Sequence, residues 1–169
     1  MRTVIVGLST STFILIHVLL SLTGIGTGFV VLVGFLKGKR LKGWTAIYVT
    51  TSLLTTATGF LFPFDVVLPT HILGLLSALA LTIAIVAYNA VGFNGWSRAV
   101  YVVGLASALY LNCYAAVMQA FAKIAALNAF APARTEWPYV LTQSVVLALF
   151  IVLTYLAAKR FTVAKVRDM

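Results

Sequence analysis

Five stretches of this chain run for about twenty residues or more without a single Lys, Arg, Asp or Glu, and that decides what it can become. The first extends from Val4 to Leu36, and others follow from about Trp44, Thr70, Arg98 and Tyr139. About twenty apolar residues make a helix long enough to cross the hydrocarbon of a bilayer. Barrel strands are about ten residues long and alternate in character, a pattern these runs lack. Of the 169 residues 62% are hydrophobic and 9% charged, whereas soluble domains are about half apolar and about a quarter charged. Composition therefore excludes a soluble enzyme, a disordered chain and a disulfide scaffold. The fold class expected is all-α, an integral membrane helical bundle in one transmembrane domain covering residues 1–169. Five transmembrane helices are expected, with four as the alternative, at about 9–36, 44–62, 70–91, 98–127 and 139–158.

The first run is too long for a signal-peptide core and no A-x-A site ends it, so it is read as the first helix, frayed over Ser9 to Thr12. Pro63 and Pro69 bracket the second connection. Gly92-Phe93-Asn94-Gly95 supplies the third, because Gly and Asn tolerate positive φ. Asn128 to Pro138 forms the fourth. Lone Cys113 is read as a packing residue, and no zinc-type Cys or His spacing exists.

The formal net charge of +9 is placed by topology. Nine of the twelve Lys and Arg residues are Lys37, Lys39, Arg40, Lys42, Arg98, Lys159, Arg160, Lys165 and Arg167. They fall in the first loop, the third loop and the tail, which five crossings put on one side. That is the positive-inside pattern. It puts the N-terminus outside (periplasmic) and the C-terminus in the cytoplasm. Trp44, Trp96 and Trp137 fall at span ends, as an interfacial belt requires. A nucleic-acid surface needs its cations on one solvated face, so nucleic acid is excluded as a partner. The lipid bilayer, with its anionic headgroups, fits the clusters better.

In lipid, helices associate through small residues and hydrogen bonds. Helical spacing aligns Thr10, His17, Ser21, Gly24 and Gly28 on the first helix. It aligns His71, Gly74, Ala78, Thr82 and Asn89 on the third, and Tyr101, Ala108, Asn112, Gln119 and Lys123 on the fourth. The second helix is rich in threonine. The Gly24/Gly28 face is the candidate contact for a homo-oligomer or for a partner in a larger membrane complex.

Counting about 1.5 Å per residue from the cytoplasmic ends puts His17, His71, Gln119, Gln143, Lys123 and Asp65 in one outer layer. Asn112 lies deeper on the same stripe. Ionisable groups within a membrane are costly and mark function. His17 and His71 lie on parallel helices at similar depth, and two imidazoles could hold one b-type haem iron and pass electrons. On that reading His17 and His71 are the metal ligands, and Gln119, Gln143, Asn112, Lys123 and Asp65 line the ligand site. The bland alternative makes each histidine a hydrogen-bonding partner within the bundle. Two further readings are a non-redox protein binding a small ligand, lipid or quinone, and an accessory subunit of a larger complex. Nothing resembling a triad, paired intramembrane carboxylates or a phosphate loop is present, so no catalytic residues are assigned and enzymatic activity stays open.

Gly43-Trp44-Thr45, Thr58-Gly59-Phe60-Leu61-Phe62-Pro63, Leu68-Pro69-Thr70-His71-Ile72-Leu73-Gly74 and Ala108-Leu109-Tyr110-Leu111-Asn112 resemble segments of a group of small proteobacterial multi-span membrane proteins with no assigned activity. The resemblance implies a bacterial inner-membrane location and a similar number of spans. It implies no chemistry.

Overall fold

A computed structural model describes residues 4, 5, 7–62, 69–90 and 94–163. Two short strands, β1 (Val4–Ile5) and β2 (Leu8–Ser9), pair antiparallel ahead of helix α1 (Thr10–Leu36). Helices α2 (Lys42–Phe60), α3 (Pro69–Asn89), α4 (Gly95–Lys123), α5 (Ala125–Phe130) and α6 (Trp137–Val163) follow. Helices α1, α3, α4 and α6 are each long and apolar enough to cross a membrane.

Local chemistry explains where these helices begin and end. Ser9 does not fray: its Oγ accepts from the Thr12 amide at 3.2 Å and starts α1, as an N-cap should. Gly38 stops it. With φ at 67°, Gly38 donates its amide to the Phe35 carbonyl and Lys39 donates to that of Gly34, both at 2.9 Å. These are the paired bonds of a glycine-terminated helix end. Asn94 Oδ1 accepts from the amides of Trp96 and Ser97, so α4 begins at Gly95, ahead of the expected Arg98. The expected fourth span to residue 127 is interrupted at Ile124, whose extended φ of −88° and ψ of 113° separate α4 from α5. The break lets α5 fold back over the outer end, where Asn128 Nδ2 donates to the Phe121 carbonyl and Phe121, Ala131 and Tyr139 form a small second core. Helix α6 overruns the expected 139–158 at both ends.

The five long helices form a ring in the order α1, α2, α3, α4, α6, closed by α6 against α1, with α1 and α4 also meeting across it. The α1–α2 pair keeps one antiparallel register throughout. Gly34 packs on Leu41, Gly28 on Tyr48, Gly24 on Ser52, Gly59 on His17, and Phe13 on Phe62. From Phe13 to Gly34 that register covers about 30 Å of axis at about 1.5 Å per residue, so the segment from Leu41 to Phe62 runs beside α1 over that length.

Helix α2 is less apolar because of its threonines, yet four of the six hydroxyls are satisfied locally. Thr45, Thr51, Thr55 and Thr58 donate to the carbonyls of Leu41, Ile47, Thr51 and Leu54 at 2.7–2.9 Å. Such back-bonding removes the need for water or a partner helix.

Two sequence expectations need correction. Gly24 and Gly28 do not present a face to another chain. A Cβ at Gly24 would lie 3.2 Å from Ser52 Oγ, and one at Gly28 would lie 2.6 Å from Leu109 Cδ1 and 2.9 Å from Tyr48 Cε2, so both glycines are covered within this chain. On α3 the expected stripe also fails beyond His71 and Gly74: Thr82 and Asn89 are exposed, and the buried face is Ser77, Leu81, Ala84 and Ala87. Gly104 of α4 fits against that face, so close that a Cβ there would sit 2.7 Å from the Ala80 carbonyl oxygen. The outward surfaces are apolar, as at Leu15, Leu19, Leu75, Val86 and Ile151, which suits lipid and not water.

Candidate functional site

At the end of the ring where α1 begins and α2 ends, α1 brings His17 against α2. The His17 Nδ1 and Thr58 Oγ1 are 2.8 Å apart. Thr58 Oγ1 also lies 2.7 Å from the Leu54 carbonyl oxygen, to which it donates. Two oxygens that close repel unless the single hydroxyl proton lies between them. The Thr58 proton is therefore committed, and His17 must donate from Nδ1. Its Nε2 then carries the lone pair. The ring is half-buried and meets Phe62 edge-on at 5.3 Å, and Phe62 in turn meets buried Phe13 at 5.0 Å.

His71 is buried and stacks on Phe60, centroids 5.5 Å apart. On α2, Thr58, Gly59 and Phe62 face α1, whereas Thr56 and Phe60 face Gly74 and His71 of α3. At about 100° per residue these faces are roughly 130° apart. The two histidines thus pack on different faces of one helix, and their rings are not opposed across a common space. This placement does not fit a bis-histidine iron, which needs both nitrogens within about 2 Å of the metal. Among the described residues no group of three His, Cys, Asp or Glu could hold a metal ion.

The other expected members of the outer layer also go separate ways. Gln143 of α6 is buried against α4, donating from Nε2 to the Tyr114 carbonyl at 3.2 Å and to the Tyr139 hydroxyl at 3.1 Å. Its Oε1 is buried with no partner among the described residues. Gln119 and Lys123 are exposed. Asn112 sits deeper and donates to Ser52 Oγ at 3.2 Å. Asp65 lies outside the described residues. The sequence did not single out Tyr48, whose hydroxyl donates to the Leu105 carbonyl at 2.9 Å in the centre of the bundle. A tyrosine in an apolar run gives no sign of which carbonyl it will reach.

The opposite end is basic and aromatic. Phe35, Tyr101 and Phe161 form a box, with Phe35 centroids 5.7 Å from Tyr101 and 4.9 Å from Phe161. Arg98 is buried, lies over the Phe161 ring and donates to the Phe161 carbonyl. Arg40 lies over Tyr88, 4.7 Å from its centroid, and Arg160 donates to the Leu36 carbonyl at 3.2 Å. Lys37, Lys39, Lys42 and Lys159 are exposed around them. Among the described residues the only acidic side chain is Glu136, in the connection at the other end. Trp44 and Trp96 are exposed at the basic end and Trp137 at the outer end.

Comparison of the chain with protein-family models, with curated proteins and with solved structures gives no match.

Proposed function

We propose that the protein is a bacterial inner-membrane bundle of five crossing helices that acts through its lipid contacts, holding anionic phospholipid headgroups at its basic end. The observation that carries this reading is the gathering of Lys37, Lys39, Arg40, Lys42 and Arg160 around one rim. Near a membrane surface each such cation is worth about 1 kcal/mol toward anionic lipid. Exposed Trp44 and Trp96 mark the same level as an interface. Helix α2 counts as the fifth crossing because the segment from Leu41 to Phe62 runs beside α1 for about 30 Å, and four of its threonine hydroxyls are already bonded to carbonyls one turn back. An odd number of crossings with the basic rim inside puts the N-terminus in the periplasm and the C-terminus in the cytoplasm.

The test is reconstitution in nanodiscs of phosphatidylcholine with and without phosphatidylglycerol. The expected result is retention of several phosphatidylglycerol molecules in native mass spectra and a higher thermal transition. Both should fall in Lys37→Ala/Lys39→Ala/Arg160→Ala and in high salt. Equal behaviour in the two lipids overturns the reading. Reporter fusions at each terminus test the orientation, and both termini on one side would reject five crossings.

A further inference from the structure

The geometry points to His17 Nε2 as the acceptor of a binding site for a lipid-soluble aromatic alcohol, of which a quinol is the fitting chemical class. The inference rests on the chain lying in a bilayer and not on headgroup binding at the other end. Three observations meet at this ring. First, its tautomer is set. The Thr58 hydroxyl proton is committed to Leu54, so Nδ1 donates and Nε2 is left as a neutral acceptor. An imidazole fixed through one nitrogen presents the other in a defined direction, as in ligand-binding histidines generally. Second, no side chain or backbone group among the described residues hydrogen-bonds Nε2, and the ring is half-exposed on a helix whose neighbouring Ile14, Ile16 and Val18 face lipid. A polar atom within lipid that lacks a partner costs free energy until a donor reaches it.

Third, the surroundings select the donor. A neutral nitrogen acceptor offers a phosphate no proton, and an ammonium is costly to bring into the apolar layer. A hydroxyl is what it can accept. Half-buried Phe62 meets the ring edge-on, and aromatic groups favour such edge-to-face neighbours by about 0.5–1.5 kcal/mol. An aromatic hydroxyl in the membrane therefore gains both contacts. The level also suits it. His17 lies in the outermost turns of α1, where the polar head of an amphiphile dissolved in the bilayer resides.

The experiment uses the full chain in phosphatidylcholine nanodiscs with 15N-labelled histidine, titrated with a short-chain benzoquinol kept reduced and with its dimethyl ether. The ether has the same ring and tail but no hydroxyl proton. The expected result is a saturable shift of the His17 Nε2 resonance with the quinol alone, with Nδ1 remaining protonated. His17→Phe keeps the ring packing on Phe62 and should weaken quinol binding about tenfold or more, the loss of about one good hydrogen bond. Thr58→Val removes the acceptor that fixes the tautomer and should weaken it several-fold with the thermal transition little changed. No shift, an equal shift with the ether, or unchanged affinity in His17→Phe overturns the proposal. A Soret band on haem addition that depends on His17, with no response to quinol, overturns it in favour of haem. Should His17→Phe fail to fold, the wild-type titration against the ether decides alone.

Discussion

The Tyr48 hydroxyl donates to the Leu105 carbonyl at 2.9 Å, tying α2 to α4 through a residue that is 1% exposed. The same ring fills the space left by the missing Cβ of Gly28. One tyrosine thus joins three helices, by hydrogen bond to α4 and by packing to α1. Tyr48→Phe keeps the packing and removes the bond. It should cost about 1 kcal/mol, the usual worth of an interhelical hydrogen bond in membranes. Unfolding in mixed detergent measures this, and a loss below a few tenths of a kcal/mol would show that the packing alone holds the contact.

Gly104 and Gly26 make a paired test of close approach. A Cβ at Gly104 would meet backbone oxygen of Ala80 at 2.7 Å, whereas one at Gly26 would meet nothing within 4 Å. Gly104→Ala should destabilise by about 1–3 kcal/mol, because a helix backbone cannot move aside as a side-chain tip can. Gly26→Ala should be neutral or stabilising by up to about 1 kcal/mol through helix propensity. Thermal transitions of the two variants, measured side by side, check the contrast.

The Asn112–Ser52 pair predicts non-additivity. Both side chains are buried and bonded at 3.2 Å. Ser52→Ala leaves the Asn112 amide without its acceptor and should cost about 1–3 kcal/mol. Ser52→Ala/Asn112→Leu removes both polar groups and should recover part of that loss. A double-mutant cycle reads the difference, and simple additivity would reject the pairing.

Glu136 predicts a pH response in the outer connection. Its carboxylate accepts from the Ala133 and Thr135 amides, each at 3.0 Å. These backbone bonds, that from Ala133 foremost, hold its pKa below the usual carboxylate value. A lowered folded pKa means that the carboxylate's contribution is complete above the ordinary range and is lost as the pH falls through the lowered value. Amide exchange at Ala133 and Thr135, taken relative to the intrinsic rate at each pH, should quicken at acid pH in the wild type. In Glu136→Ala it should be fast at neutral pH too, and identical profiles in both would reject the capping role.

Much of the architecture was legible because it depends on neighbours along the chain. Apolar run length gave the long helices but not every bound: α4 begins at Gly95, capped by Asn94, where the run pointed to Arg98. On α1 the stripe of His17, Gly24 and Gly28 does face α2. The break at Ile124 was not legible, since no Pro or Gly marks it and the small core of Phe121, Ala131 and Tyr139 accompanies it. The polar layer expected from counting separates into pairs, His17 with Thr58 and Gln143 with Tyr114 and Tyr139, because azimuth does not follow from counting.

The amino-acid sequence by itself determined a helical membrane bundle with a basic rim and tryptophans at the span ends, since hydropathy and charge act through the bilayer and need no knowledge of which helix lies beside which. Only the tertiary structure decided that His17 and His71 take different faces of α2, that Thr58 fixes the His17 tautomer, and that Gly24 and Gly28 are covered from within. Those outcomes turn on how Tyr48, Leu109 and Gly28 fit together across three helices. That fit is set by contacts within a few ångströms between residues dozens of positions apart, and no run, stripe or spacing along one helix encodes it.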